Sequence, residues 1–310
     1  MIKKTMDIKK ILPNNNQKPR STSSYAITLT NITENETFCY SSPIIKGYVS
    51  VYSKDCSVDK DKTITLKKIT NDNCPEEITH WPVINGNFKC LANLNFGRNH
   101  FILEYEDASL CLNLEFKSKT TNYHVLPVYI ICDGHDGNFQ APENEDSSPE
   151  SACRRISLGS RLIQSLTAEK LQESDMGRRT FQLAYDMDID MDCIIFHSKL
   201  TSDDVYQMEP EEIWEHFGRE LMSSPYGSDQ RKFLAFLSCT RYISDDKEPE
   251  THEDVVARMQ GHVALGGGGL AIFGTGCLHT WPETIDQIVS KFTDETKVDK
   301  TKFMDDSCYR

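Results

Sequence analysis

The 310-residue chain has no apolar run long enough to cross a membrane, and its mean hydropathy is -0.50. A spanning helix needs about 20 consecutive apolar residues, so the composition predicts no membrane partner. Residues 1–23 also lack the apolar core of a secretory signal peptide and are rich in Lys, Asn and Pro. We expect residues 1–23 to form a disordered basic arm.

Positive charge is scarce in the rest of the chain. The sequence has 34 Lys and Arg residues against 47 Asp and Glu residues, which gives a net charge of -13. Several of the basic residues lie in the amino-terminal arm, so the remainder is more acidic still. Because an acidic surface repels phosphate backbones, we predict no nucleic-acid partner.

No two of the eleven cysteines are spaced as Cys-x-x-Cys. Because the usual zinc fingers need this spacing, the sequence excludes them. An odd number of scattered cysteines without a secretion signal is typical of reduced thiols. The sequence therefore predicts a protein of the cytoplasm or the nucleus. Cys90 and Cys111 are expected to be buried as small apolar residues and not joined by a disulfide.

Four consecutive glycines, Gly266 to Gly269, interrupt the apolar stretch Gly261–Trp281. Ordering glycine costs more conformational entropy than ordering any other residue, so a run of four needs a reason. A tight bend, a close backbone contact with a ligand, a mobile flap and a flexible surface loop all remain open. The stretch lacks the lysine of a phosphate-binding loop and the glycine spacing of a dinucleotide site, so nucleotide binding is disfavoured.

Residues 24–120 consist of short apolar and polar alternations separated by turn-forming stretches, without helical periodicity. This pattern predicts a β-sandwich domain of the immunoglobulin or fibronectin type. The predicted strands are Tyr25–Leu29, Ile44–Val51, Thr63–Ile69, Phe88–Leu94, His100–Tyr105 and Leu110–Phe116.

From about residue 121 the pattern changes to that of an α/β domain. Val125–Cys132 is almost continuously apolar, as in a strand buried on both faces of a sheet. Ser148 and Pro149 are typical of a helix start, and Gly177 is placed to end that helix. Further strands are predicted at Thr180–Tyr185, Cys193–His197, Phe233–Cys239 and Leu270–Phe273. One helix is predicted at Pro210–Met222. A second helix is predicted after Thr280 as its cap, with Ile285, Ile288, Val289 and Phe292 on its buried side.

Two groups of residues have a weak resemblance to metal sites. Asp186, Asp188, Asp190 and Asp192 alternate as in the first half of a calcium loop, but the glycine and glutamate that complete such a loop are missing. In a strand, the same alternation would place all four on one solvated face. His262 and His279 flank the glycine-rich stretch, but two histidines without a third ligand specify no metal.

A resemblance to known proteins rests on blocks spread along residues 24–310. They are Gly261–Gly276, Trp281–Pro282, Lys297–Asp299, Asp305–Arg310, Val128–Gly134, Gly137–Pro142 and Gly177–Phe181. Together these blocks resemble a eukaryotic family classed as zinc metallopeptidases of the zincin type. The resemblance implies that residues 121–310 form an incomplete zincin-like α/β domain.

The sequence departs from that family at the zinc site. Zincins carry His-Glu-x-x-His on a helix, where the histidines bind zinc and the glutamate activates the metal-bound water. Of the nine histidines only His252 precedes a glutamate, and Val256 stands where the second histidine belongs. The family has this helix shortly after the segment that matches Asp306–Arg310. We therefore expect an amino-terminal portion of a peptidase that lacks the zinc-binding helix and is inactive by itself.

The resemblance also implies a role for the glycine-rich stretch, because zincins line their cleft with an edge strand that pairs with an extended substrate. The candidate substrate-binding residues are Leu265, Gly266, Gly267, Gly268, Gly269, Leu270 and Ala271. The full-length family form is expected to bind zinc and a peptide or protein substrate, and this chain alone is expected to hold no cofactor. Two alternatives stay open: a non-catalytic intracellular binding protein that uses the β-sandwich, and an intracellular hydrolase of another type.

Overall fold

The computed structural model describes residues 23–52, 62–69, 75–119, 121–187, 192–293 and 298–305. Apart from Ser23, the predicted basic arm lies outside these residues, and so does residue 120 at the predicted domain boundary. No helix in the described ranges is both long and apolar enough to cross a membrane.

The amino-terminal part is an eight-stranded sheet with the strand order β1-β3-β6-β5-β4-β7-β8-β2. Its strands are β1 (Tyr25–Leu29), β2 (Glu36–Phe38), β3 (Ile44–Val51), β4 (Thr63–Ile69), β5 (Pro75–Ile84), β6 (Asn87–Leu91), β7 (Gly97–Tyr105) and β8 (Ala108–Phe116). The long strand β5 pairs with β4 over most of its length and with β6 through Val83 and Ile84, so it joins the two halves of the sheet.

The sheet curls so that its first strand approaches β8. The carboxylate of Asp107, in the turn between β7 and β8, accepts hydrogen bonds from Ser23 Oγ at 2.8 Å and Ser24 N at 2.7 Å. The rings of Tyr25 and Tyr105 meet edge to face with centroids 5.3 Å apart. Alternate side chains of the strands point inward to one apolar core.

The sequence predicts six of these strands and misses two. β2 has only three residues, and β5 contains two prolines, which weaken a strand signal. Cys90 is buried as expected, but the expectation for Cys111 is wrong, because Cys111 lies on the outward-facing side of β8 and is exposed. The immunoglobulin or fibronectin type stays a prediction, because the strand order describes one curled sheet.

The second part of the chain is an α/β region built on a five-stranded sheet with the order β10-β9-β11-β15-β14. β9, β10, β11 and β15 are parallel, and β14 is antiparallel at one edge. The strands are β9 (His124–Asp133), β10 (Ile194–Thr201), β11 (Arg231–Leu237), β12 (Arg241–Tyr242), β13 (Met259–Gln260), β14 (Ala264–Gly267) and β15 (Leu270–Gly274), where β12 and β13 form a separate pair. The helices are α1 (Pro149–Glu173), α2 (Ser202–Val205), α3 (Pro210–Ser223), α4 (His252–Ala257) and α5 (Ile288–Lys291), with 3-10 turns at Tyr185–Met187, Leu278–Thr280 and Ile285–Gln287.

Two long helices cover opposite faces of this sheet. α1 begins at the predicted place, and the Ser148 side chain caps it by accepting a hydrogen bond from Ser151 N at 3.2 Å. Its residues Ala152 and Ile156 pack with Tyr129 of β9. α3 packs on the other face, in a core that includes Leu270 and Ile272 of β15.

Three predicted elements of the second region differ in the structure. The expected strand Thr180–Tyr185 is wrong, because only Leu183 forms an isolated bridge, with Val125. The Asp186 carboxylate accepts a hydrogen bond from Leu183 N at 3.0 Å and bends this segment into the 3-10 turn. The helix expected after Thr280 is a 3-10 turn followed by the short α5, and Thr280 itself ends an earlier turn. α1 ends at Glu173, several residues before Gly177.

The run of aspartates does not form the expected solvated face. Asp186 is fully buried and accepts a hydrogen bond from Gln164 of α1, and burial raises its pKa. Asp192 forms an ion pair with Arg161 at 2.6 Å. Asp188 and Asp190 lie outside the described residues.

Charged contacts join the two regions. Arg178 donates hydrogen bonds to Glu36 of β2, to Glu169 of α1 at 2.8 Å and to the carbonyl of Asn31 at 2.6 Å. Lys46 of β3 pairs with Glu173 at the end of α1 at 2.6 Å. Helix α1 is therefore held against the eight-stranded sheet as well as against its own sheet.

Candidate functional site

The candidate site is the edge strand β14, together with the turn that connects it to β15. Of the seven predicted residues, Leu265, Gly266 and Gly267 lie on β14. Gly268 and Gly269 form the turn. Leu270 and Ala271 lie on β15, which also pairs with β11 on its far side. Their backbone groups are therefore used inside the sheet, and an outside strand could pair only with β14.

The hydrogen-bond pattern shows which backbone groups of β14 point outward. Gly274 N donates to Val263 O at 2.9 Å, so Val263 directs its carbonyl toward β15. In an antiparallel pair this direction alternates from residue to residue. Leu265 and Gly267 therefore also face β15, whereas the N–H and C=O groups of Ala264 and Gly266 face away from the sheet.

The packing of the fold does not require the glycines of β14. A Cβ on Gly266 would lie 3.7 Å from the Ala271 side chain, and one on Gly267 would lie 3.7 Å from the Trp214 ring, which are ordinary contacts. A Cβ on Gly269 would come no closer than 3.9 Å to Lys232. Gly268 differs, because its φ of +54° in the turn is a conformation that favours glycine. Gly266 and Gly267 thus keep the strand surface open without a need from inside the fold.

The site has a rigid wall on the side of α3. Trp214 Nε1 donates a hydrogen bond to Leu270 O at 3.0 Å, which fixes the indole ring beside the hairpin. Leu265 packs into the core under α3. Ala264, Gly266 and Gly267 are exposed. The edge therefore combines a fixed position with an accessible backbone.

The sheet face beside α1 is only partly covered near this edge. Leu270 and Ile272 point to the α3 side, so Ala271 and Phe273 point to the α1 side. Phe273 is 38% exposed, and its ring centroid lies 5.9 Å from that of the buried Phe236. An apolar strip therefore continues from the α1 core to the open edge.

The candidate metal residues do not form a metal site in the part of the chain that the structure describes. No three His, Cys, Asp or Glu side chains converge there in a way that could hold an ion. His262 is half-buried, and burial lowers its pKa. The residues present do not fit a catalytic zinc ion, which needs three protein ligands.

Sequence reasoning missed the residue that orders the segment after β15. Arg155 of α1 is buried and donates hydrogen bonds to the carbonyls of His279, at 3.0 Å, and of Trp281. It also pairs with Glu145 at 2.9 Å and with Glu283 at 3.0 Å. Burial alone would raise the pKa of Glu145, but the hydrogen bonds from Lys291 and Arg155 outweigh it and lower that pKa. In the sequence, the only indication that Arg155 orders this segment is that a charged residue occupies a position of α1 that faces the core.

Comparison with known sequences gives a family for nearly the whole chain. The model of the family Metallopep, described as "Putative peptidase family", matches residues 26–310. The match includes both sheets and the site at β14.

Two curated proteins are similar to the chain. One, from Schizosaccharomyces pombe, is 25% identical over 88% of this chain and 45% of its own length. The other, from Saccharomyces cerevisiae, is 25% identical over 90% of this chain and 42% of its own length. Both are named "Putative zinc metalloproteinase". The chain thus spans less than half the length of these relatives.

Solved structures resemble the chain only distantly. A Salmonella alpha-2-macroglobulin has 14% identity over 31% of this chain and 7% of its own, with a TM-score of 0.25. A Bifidobacterium dentium beta-glucuronidase has 5% identity over 69% of this chain and 44% of its own, with a TM-score of 0.21. At such TM-scores these likenesses carry no argument.

Proposed function

The chain belongs to the Metallopep family of peptidases, and from this membership we propose that it forms the scaffold and substrate-binding part of a zinc-dependent peptidase. In this proposal the α/β region is zincin-like, and the eight-stranded region is a sandwich of the immunoglobulin or fibronectin type. The substrate is a peptide or protein in extended conformation, bound along β14.

The observation that carries the proposal is the open backbone of β14. The outward groups of Ala264 and Gly266 lie on an exposed edge, and no packing inside the fold explains the absence of a side chain at Gly266 or Gly267. An extended peptide that adds to this edge would bring its own backbone and side chains against these positions. Glycine allows that approach.

Hydrolysis is not assigned to these 310 residues. A zinc ion, where bound, supplies Lewis-acid activation of water and of the peptide carbonyl, and this requires a ligand set. The His-Glu-x-x-His motif is absent from the sequence, and no metal cluster lies in the described ranges. We propose that zinc binds residues outside this sequence, in the full-length form of the family.

The open face near β14 supports the same proposal. Phe273 and the small residues Ala264 and Ala271 would be covered by a further element that lies beside α1. Apolar surface left uncovered near a binding edge is typical of an interaction site. The much longer relatives have chain available for such an element.

The first test measures metal content and proteolysis with the purified 310-residue chain. We expect no stoichiometric zinc and no chelator-sensitive cleavage of β-casein. One equivalent of zinc together with chelator-sensitive cleavage would contradict the assignment of the zinc site to other residues.

The second test measures binding of unfolded β-casein to the chain and to two variants. Gly266→Pro removes the outward N–H and leaves the pairing with β15, since proline is tolerated at outward positions of edge strands. We expect it to weaken binding at least about tenfold. Asp229→Pro, at an exposed position of the turn before β11, is the control and should bind as the unmodified chain does. Equal binding by all three proteins would remove β14 from the proposal.

A second candidate function is partner binding by the eight-stranded region, without catalysis. A groove of about 670 Å³ lies between this sheet and α5, and it is lined by apolar residues that include Trp81, Ile84, Phe88 and Phe292. Retention of β-casein binding in Gly266→Pro with loss in Ile84→Asp would favour this candidate.

We also propose the cytoplasm or the nucleus as the location, without a nucleic-acid or membrane partner. The eight cysteines in the described ranges form no disulfide with one another. Cys132 Sγ and Cys239 Sγ lie 3.5 Å apart. What supports the location is the odd number of scattered cysteines in the sequence.

A further inference from the structure

The Trp214 ring beside β14 is bordered by two glycines. Gly267 of β14 is exposed, and a Cβ there would lie 3.7 Å from Trp214 Cζ2. Gly218 lies one turn after Trp214 on α3, and a Cβ there would meet only Leu270, at 3.7 Å. Neither glycine has a positive φ or a crowded neighbour that requires it. Both therefore leave space beside an indole ring that is only half-buried.

A strand added to β14 would place some of its side chains on the α3 side of the sheet. Residues paired between adjacent strands share a face, and Gly267 pairs with Leu270, whose side chain packs in the core under α3. The side chain of an added residue opposite Gly267 would therefore also lie on the α3 side. Its Cβ would be roughly 5 Å from the place of a Cβ on Gly267, so a long side chain can extend over Gly267 to Trp214 and a short one cannot.

Two glutamates lie on the same flank of α3 as Trp214. Glu211 is three residues before Trp214 and four before Glu215, and residues at these spacings are neighbours on the surface of a helix. Both glutamates are exposed. The other flank of α3 faces β10, where the Glu220 carboxylate accepts a hydrogen bond from Ser198 Oγ at 2.6 Å. Glu211 and Glu215 are therefore on the side of α3 that faces β14.

The charge and the ring together favour a cation at this position. Glu215 pairs with Arg219, whereas Glu211 has no ion pair within the described ranges. A guanidinium or ammonium group binds the face of a tryptophan ring, and the aliphatic part of its side chain covers apolar surface on the way. An anion would instead be repelled by Glu211 and by a chain whose net charge is -13.

We propose that the extended segment bound at β14 carries an Arg or Lys side chain that extends over Gly267, packs on Trp214 and pairs with Glu211. This inference rests on the proposed binding of peptides along β14 and adds the class of residue that the edge selects. Arg suits the site better than Lys, because the planar guanidinium both stacks on an aromatic ring and pairs with a carboxylate.

The test compares short, fluorescently labelled peptides of alternating Thr and Val that differ only at the central residue. This residue is Arg, Lys, Gln or Glu, and binding to the 310-residue chain is measured by fluorescence anisotropy at low salt. We expect the Arg peptide to bind at least about tenfold more tightly than the Gln peptide, with the Lys peptide between them and the Glu peptide weakest.

Glu211→Gln should reduce the preference for Arg over Gln to below about threefold and leave the affinity for the Gln peptide unchanged. Glu150→Gln is the matched control, because Glu150 is exposed at the start of α1 on the opposite face of the sheet. It removes the same charge and should keep the full preference. An undiminished preference in Glu211→Gln would overturn the proposal.

Gly266→Pro separates this proposal from the binding of peptides at β14. Equal affinities for the Arg, Gln and Glu peptides, all weakened by Gly266→Pro, would overturn the selection of a cation and keep β14 as the binding edge. A preference for Arg that persists in Gly266→Pro would place the cation away from β14 and overturn the proposal. Binding of none of the peptides would overturn it together with the proposed function.

Discussion

The eight-stranded and five-stranded sheets differ in how the described chain holds their edge strands. In the first, Leu114 and Phe116 point into a closed core, and the edge strand β1 is drawn against β8. In the second, the edge strand β14 carries exposed residues at Ala264 and Gly266, and Phe273 beside it is 38% exposed. Both sheets have large apolar cores, and both carry exposed apolar side chains, such as Tyr52 and Ile84 in the first region. The difference lies at the edges: the first region holds β1 through hydrogen bonds to Asp107 in the β7–β8 turn, and the second leaves β14 open.

The two regions also differ in their buried polar groups. The eight-stranded region buries small polar side chains such as Ser41, Ser42 and Thr79, together with Asn99 and Lys68. The five-stranded sheet has a buried guanidinium, Arg155, and an unsatisfied imidazole, His279, at its carboxyl-terminal end. Buried polar groups are costly unless paired: Arg155 is paired within the fold, whereas the ring nitrogens of His279 are not.

The largest expected effect comes from removal of the buried guanidinium. Arg155→Met leaves two carbonyls and two carboxylates without this donor, and we expect a loss of about 3–5 kcal/mol in the free energy of unfolding in urea. Arg154→Met is the matched control, because Arg154 also pairs with Glu283 but is 47% exposed, and it should cost under about 1 kcal/mol. Similar losses in both variants would show that burial of Arg155 does not order this region.

The next effect is a pH dependence that belongs to the second region. Burial, together with Arg155 and Lys291, lowers the pKa of His279 from 6.5 to about 4, against the opposite influence of Glu145 and Asp305. The unfolded state therefore binds the proton first, so the contribution of His279 is complete above pH 6.5 and is lost as the pH falls toward about 4.

The loss over that interval is roughly 3 kcal/mol. His279→Phe should remove this part of the pH dependence, which urea unfolding at a series of pH values would measure. Parallel curves for the variant and the unmodified chain would contradict the buried neutral state.

A smaller effect distinguishes two glycines of the same stretch. A Cβ on Gly274 would lie 2.8 Å from two atoms of the Thr240 side chain, which is buried and hydrogen-bonded. We expect Gly274→Ala to destabilise the fold by about 1–3 kcal/mol. Gly266→Ala meets no such contact and should leave stability unchanged or raise it by about 0.4–1 kcal/mol. Equal destabilisation by both would mean that the fold itself needs the glycine of β14.

Local patterns predicted much of the fold but little of its polar interior. Ser148 as a cap and the apolar run of β9 were read correctly, because both depend on neighbouring residues. Thr180–Tyr185 was read as a strand, because the local pattern does not show that Asp186 contacts Gln164 of α1, 22 residues away.

The candidate site, too, could be predicted from the sequence only in part. A tight bend was one of the interpretations open for the glycine-rich stretch, and a hairpin lies there. The sequence could not tell that Leu270 and Ala271 lie between two strands, while Gly266 has a partner strand on one side only. The cavity of about 340 Å³ beside His279 is formed by the loop after β9, the turn after β15, α5 and residues 298–305, so no local pattern reveals it.

Amide hydrogen exchange along β14, with and without β-casein, tests the central claim most directly. The amides of Leu265 and Gly267 face β15 and should be protected in the free chain, whereas those of Ala264 and Gly266 should exchange fast. Addition of β-casein should slow exchange at Ala264 and Gly266 while Leu265 and Gly267 stay as they were. Unchanged exchange at Ala264 and Gly266 under conditions in which β-casein binds would contradict recognition by this edge.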